Sequence, residues 1–434
     1  MSLKTDFRNT LNLSHIEGGF YALMVAAIEN FIFYYAVQTG VSATELGLIA
    51  TLPLFVGAVG QYILPALVKE KGLGPFVIIT MFIQVFGVFG ILLHSLFALP
   101  FLWLLISVVL FYLGGMSSSP LWIDWAQNLV PKRNFRRFIA RRSSYTWWLI
   151  LIFFVGLALL NRFFGLSLKN IFLIGFFARV ISGFLQIKIQ RSRYVKLRES
   201  HHNDSSWLMK KTTDISRSLF QFSDLDVVKS HLKKTIIVFL LATAGFKFGV
   251  QLAGPFFVDY MIKDLKLDMF WFVILYSIPS LGRALFFKHW SRISDEKFVF
   301  QSFRLAMFYL AVIPIIWTLS KSLSFLLFME IFAGMFWGGF ELFSVLFVQN
   351  FLGKNSRKLL GLHMALGSLM GLFGALFGAR LFETGIGYHG LMYASSVARF
   401  FFWFLLSGLI FYYGTYGKIN ASRLSQLVRR FLRA

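Results

Sequence analysis

Long apolar runs, each ended by a short polar loop, repeat along the chain from one end to the other. A run of about 20 residues crosses roughly 30 Å of hydrocarbon as a helix, so each reads as a spanning segment. The pattern places helices at about 15–38, 43–68, 74–95, 98–129, 136–160, 168–190, 234–258, 268–287, 300–319, 322–350, 355–381 and 389–414. The expected fold class is an all-α membrane protein of about twelve transmembrane helices in two six-helix pseudo-repeats. Several runs exceed 25 residues, which predicts tilt or extension beyond the bilayer.

The one long polar stretch, about 191–233, separates six helices from six. The expected organisation is an N-terminal half over 1–190, a central cytoplasmic loop over 191–233, a C-terminal half over 234–415 and a cytoplasmic amphipathic tail over 416–434. In the tail, Leu424, Leu427, Val428, Phe431 and Leu432 fall at helical spacing, with Arg423, Arg429, Arg430 and Arg433 among them. That pattern fits a helix on the inner leaflet, held by apolar burial and anionic lipid. The stretch from Ser206 to Phe222 reads either as a surface-bound segment anchored by Trp207 and Phe220 or as a linker with local helix.

Basic residues decide the orientation. Lys69 and Lys71, Lys132 to Arg137, Arg191 to Lys234, Lys288 to Lys297, and Lys354 to Lys358 mark alternate loops, while the loops between them are poor in base. By the positive-inside rule both termini face the cytoplasm, in what is expected to be a bacterial inner membrane. The net charge of +24 would otherwise suggest nucleic acid. Its confinement to short loops between apolar runs argues for membrane lipids as partners and against nucleic acid. Only 14% of residues are charged, against about 25% in soluble proteins. The absence of cysteine excludes disulfides and thiolate metal sites, and His201-His202 lacks companion ligands. No metal or cofactor is expected.

The halves share marks in one order. Gln127-Asn128 ends the fourth helix and Gln349-Asn350 the tenth, 222 residues apart. Ala178-Arg179 lies in the sixth helix and Ala398-Arg399 in the twelfth, 220 residues apart. The second helix opens at Ser42 and carries Pro53, and the eighth opens at Asp268 and carries Pro279, each proline 11 residues in. Together these correspondences point to an internal duplication.

Two six-helix halves with cytoplasmic termini and a long central loop resemble the major facilitator superfamily. After the eighth helix, Trp290-Ser291-Arg292-Ile293-Ser294-Asp295-Glu296-Lys297 resembles that family's loop pattern G-x-x-x-D-R-x-G-R at Asp295, with the base Lys297 two residues on. Ser291 replaces the leading Gly, Glu296 the Arg and Phe298 the second Gly, and the loop from Gly60 to Gly72 lacks the Asp. Trp122 to Arg142, Gly254 to Leu265 and Gly338 to Leu342 resemble a poorly characterised branch of the superfamily. The resemblance implies a central cavity lined by helices 1, 4, 7 and 10, with halves that rock about a midplane site. It specifies no substrate.

Ionisable groups within a membrane are costly and default to functional candidates. Glu29 and Lys247 sit at matching depths in helices 1 and 7 and are expected to face one cavity. They read as an ion-pair switch, as a permanent buried pair, or as a snorkelling Lys with a protonated Glu. Glu341 in helix 10 is a candidate cavity residue, and Glu330 a weaker one. Asp124 is a further candidate; a cytoplasmic-end salt bridge to Arg141 or Arg142 is the simpler reading. Asp295, Lys297, Arg141 and Arg142 are the candidate gating-loop residues. Glu17 reads as a helix cap at the inner mouth, Arg179 and Arg399 as structural, and His363 as a satisfied packing residue. The Gly-rich segment from Gly361 to Gly378 reads as close helix packing.

These readings converge on a secondary active transporter of a small molecule, working by alternating access. Proton coupling through Glu29, Glu341 or Asp124, sodium coupling and uniport all stay open. No G-x-x-x-x-G-K-[ST] loop is present to bind ATP. The alternative is a lipid translocator with a lipid-like substrate, or a membrane-embedded lipid-modifying enzyme. The enzyme reading lacks a nucleophile or metal set, so no enzymatic activity is expected.

Overall fold

The computed structural model describes residues 3–67, 73–126, 129–130, 132–192, 195–196, 230–292, 296–352 and 356–412. Among them the chain is helical, without strands. In chain order the helices are α1 (Leu3–Ala27), α2 (Ile32–Gln38), α3 (Ala43–Leu67), α4 (Leu73–Phe97), α5 (Phe101–Trp125), α6 (Lys132–Phe164) and α7 (Leu168–Gln190). Then come α8 (Ser230–Asp259), a π-helical turn (Tyr260–Asp264), α9 (Met269–Arg292), α10 (Glu296–Leu319), α11 (Leu323–Leu352), α12 (Ser356–Glu383) and α13 (Gly387–Tyr412). They supply 12 segments long and apolar enough to cross a membrane, with α1 and α2 forming one.

Local chemistry sets several ends. At the start of α3 the Glu45 amide donates to Ser42 Oγ at 3.2 Å, and the Ser42 amide donates to Glu45 Oε2 at 2.8 Å. This reciprocal box satisfies two amides that the helix cannot. At the start of α9 the Trp271 amide donates to Asp268 Oδ1 at 2.8 Å. Both sites are the openings that the sequence marks as equivalent. After α6, Gly165 turns the chain at φ +66°, a left-handed conformation that glycine adopts without a Cβ penalty.

The first span departs from the continuous helix expected over 15–38. It starts at Leu3 and breaks after Ala27. Glu29 still donates to Val25 O at 3.0 Å, no corresponding bond runs from Asn30, and Phe31 bonds only three residues back, to Ile28 O, at 3.2 Å. Asn30 between Ile28 and Ile32 supplies weak helix formers at this point. A second irregularity, the π-helical turn, follows Pro255 near the end of the seventh span.

The chain divides into two compact units, Met1–Val41 with Leu52–Gln221, and Ser42–Thr51 with Phe222–Ala434. The opening turns of α3 thus group with the second unit. In the first unit, α4 packs on α5 and α7, and α1 on α6 and α7. In the second, α8 packs on α12 and α13, α9 on α11, and α10 on α11 and α13. A Cβ at Gly374 or Gly378 would strike the Phe248 or Leu252 carbonyl, so glycine permits the approach of α12 to α8.

The outer surfaces are apolar. Phe164 is 81% exposed, Phe97 67% and Val397 69%. Surfaces of this kind suit lipid and not water. The central segment is outside the described residues except for its first turn and 195–196, and the tail over 416–434 is outside them entirely.

Candidate functional site

In the first unit the break in the first span presents Glu29 to a cavity of about 330 Å³. Its walls are Tyr21 and Glu29 from the first span, Leu54 and Gln61 from α3, Gln84 from α4, and Phe111, Tyr112, Gly115, Met116 and Ser119 from α5. Gln84 lies across Gly115, where a Cβ would meet its side-chain nitrogen. Its Oε1 is buried and accepts no hydrogen bond. Glu29 makes no side-chain hydrogen bond or ion pair among the described residues.

Tyr21 connects this cavity to a second polar cluster in the same unit. The Arg179 guanidinium stands 5.5 Å from the Tyr21 ring centre and donates to Ser182 Oγ at 3.0 Å. Ser182 Oγ donates to Glu17 Oε1 at 2.8 Å. Glu17 also pairs with Arg142, which lies over the Trp122 ring at 4.0 Å. Glu17 is buried at 2% exposure, so it is an internal ion-pair partner and not the helix cap read from the sequence. Of the two candidate basic residues here, Arg142 is engaged by Glu17 and Arg141 is exposed. Asp124 sits in the last turns of α5 with its side chain outside the described residues.

The second unit holds Lys247 on α8. Its ammonium lies 5.0 Å from the Trp337 ring and 5.3 Å from the Phe340 ring, a cation–π setting. No ion pair or hydrogen bond from this ammonium occurs among the described residues. Glu341, one turn on from Trp337, faces Arg283 of α9 at 3.5 Å, and both are substantially exposed. His363 Nδ1 is 3.2 Å from Thr243 Oγ1 and stacks on Phe239. Glu330 accepts from Trp317 Nε1 at 2.6 Å and is buried. Arg399 donates to the carbonyls of Leu310 at 2.7 Å, Val250 at 3.4 Å and Gly249 at 3.5 Å.

Glu29 and Lys247 therefore fall in different units, each against its own neighbours. The structure brings Glu341 together with Arg283, which the sequence reading missed. The signal was present, because Arg283 interrupts the apolar run after Pro279 just as Lys247 interrupts its own. Gln61 and Gln84 were also missed; neutral amides raise no flag in a search for charges. Asp295 lies outside the described residues, as does the side chain of Lys297 near the start of α10. No group of three or more acidic or histidine side chains able to hold a metal occurs among the described residues.

No family model matches the sequence, and no curated protein matches it. Solved structures do match. The nucleoside transporter NupG aligns over 94% of this chain and 99% of its own, at TM-score 0.65 and 15% identity. An auto-inhibited peptide transporter of the POT family aligns over 95% and 98%, at TM-score 0.62 and 11% identity. The inward-open xylose transporter XylE from E. coli aligns over 92% and 95%, at TM-score 0.59 and 13% identity. At these identities the likeness is one of fold, and the chain has the twelve-span fold of the major-facilitator-type transporters.

Proposed function

We propose that the chain is a secondary transporter that carries a small molecule across a membrane by alternating access. The observation that carries this reading is an intramembrane cavity holding an unpaired carboxylate, Glu29, at a helix break, within a fold shared along its length with three solute transporters. Membrane carboxylates persist where a solute or an ion makes use of them. A broken helix at the midplane is also a recurrent device of such sites. Lys247, Arg283 and Glu341 give the second unit a polar set of its own for the same task. The cell membrane with both termini cytoplasmic is the setting that the base-rich loops support, and Glu29 is the leading position for proton coupling.

The test is reconstitution of the full chain in liposomes, followed by uptake of radiolabelled sugars, nucleosides, short peptides, amines and carboxylates. Uptake into protein-bearing vesicles well above empty ones, saturable in solute, is the expected result. Chemical turnover of a solute or lipid without uptake would replace the transporter with the enzyme.

A further inference from the structure

We propose that the cavity of the first unit is a subsite for a small organic ammonium ion, which makes an amine the substrate class. This rests on the transporter reading above and narrows it. Among the described residues, Glu29 is the only formal charge on the cavity walls and has no ion-pair partner. Gln84 is 97% buried, being 3% exposed, and its Oε1 is an acceptor without a donor. As placed, that oxygen is closed off from the cavity; exchanging the amide's oxygen and nitrogen, which have nearly the same shape, turns the acceptor toward the cavity, where a ligand N–H satisfies it. Tyr21, Phe111 and Tyr112 add ring faces, the last two with centroids 5.2 Å apart.

Among the described residues the walls carry no Lys or Arg. Arg179, the cation beside the Tyr21 ring, is bound to Ser182, and Glu17 is already paired with Arg142. A carboxylate ligand would therefore meet Glu29 with no compensating charge. A neutral ligand would leave Glu29 ionised in a poor dielectric unless a coupling proton neutralised it. An ammonium ion supplies the missing charge, donates to Glu29 and Gln84, and lies against aromatic faces that attract cations. A divalent metal cation is poorly served, since the one carboxylate balances only half of its charge. The volume of about 330 Å³ is at the small end of ligand cavities, roughly 300–1,000 Å³, which favours a compact amine.

The experiment uses the full chain in lipid nanodiscs at pH 7, titrated calorimetrically with ethylammonium, butylammonium and phenethylammonium ions. The neutral 2-phenylethanol, the anionic phenylacetate and sodium chloride are the comparison probes. At least one ammonium ion should bind, and it should bind at least tenfold tighter than 2-phenylethanol or phenylacetate. Glu29→Gln should weaken that binding by tenfold or more, and Gln84→Leu by several-fold. If Glu29→Gln does not fold, Gln84→Leu and Glu29→Asp decide, the latter retaining the preference for cations. Equal or tighter binding of the alcohol or the acid would overturn the proposal. So would heat from sodium alone that Glu29→Gln abolishes, absence of binding by all three amines, or amine affinity unchanged in both Glu29→Gln and Gln84→Leu. Flux of neutral or anionic solutes with amines excluded would leave the transporter standing and remove the amine subsite alone.

Discussion

Arg179 and Arg399 occupy corresponding places 220 residues apart, and both are buried, at 1% and 3% exposure. Their surroundings differ. Arg179 belongs to a network of side chains that runs through Ser182 and Glu17 to Arg142. Arg399 has backbone carbonyls on two neighbouring helices as its acceptors. Duplication can thus preserve a position while the means of satisfying its charge diverges. The first unit handles buried charge by pairing acid with base, and leaves over one acid, Glu29. In the second, carbonyls surround Arg399 and rings surround Lys247, while the buried Asp259 pairs with Lys263 and the buried Glu330 accepts from Trp317.

The largest effect should come from breaking the acid–base network. Glu17→Ala leaves Arg142 without its partner and Ser182 without its acceptor, and loss of one member of a buried pair costs about 3–5 kcal/mol. The double change Glu17→Ala with Arg142→Ala should recover part of this, a coupling that reversible unfolding in mixed micelles can read. Additive losses would show that the pair contributes nothing together. Next, Gly378→Val forces a side chain onto the Leu252 carbonyl, an overpacking that costs about 1–3 kcal/mol. It should lower the melting midpoint more than Gly156→Val, whose Cβ position has nothing within 4 Å.

The contrast between the arginines is sharpened by Arg399→Met against Arg179→Met. The first strands carbonyls that had a charged donor, each such bond contributing about 1.5–3 kcal/mol. The second leaves Glu17 still held by Arg142 and Ser182. Arg399→Met should therefore be the more damaging in thermal unfolding, and equal losses would dissolve the distinction. The smallest effect belongs to Lys321, exposed and 2.7 Å from Asp264. That carboxylate raises the Lys321 pKa above the ordinary lysine value. Any stabilisation is then complete below the ordinary value and lost as pH rises through the raised one. Lys321→Gln should leave the midpoint at pH 7 nearly unchanged, and should flatten whatever loss occurs at strongly alkaline pH.

Twelve spans were legible because hydropathy over about 20 residues has almost one structural solution in a bilayer. The openings at Ser42 and Asp268 were legible for the same kind of reason, since a cap is read from adjacent residues. The break at Ile28–Phe31 was not, because four residues within a continuous apolar run do not alter a hydropathy window. Glu29 was found by its charge, whereas its setting required the fold. Its cavity neighbours Gln61 and Gln84 come from other helices and are neutral. The partner of Arg142 was illegible because Glu17 is 125 residues away, and the sequence placed nearer acids, such as Asp124, within reach. Arg283 was legible and overlooked; an arginine inside a span raises the same question as Lys247.

Alternating access permits one behaviour that a channel or an enzyme does not. Where the empty carrier reorients more slowly than the loaded one, exchange outruns net efflux. The most direct measurement is efflux of a labelled solute from proteoliposomes, with and without the same unlabelled solute outside, and with no ion gradient. Faster efflux when unlabelled solute is present outside, lost in Glu29→Gln, is the result this account predicts. Efflux that is linear in concentration and indifferent to outside solute would contradict it.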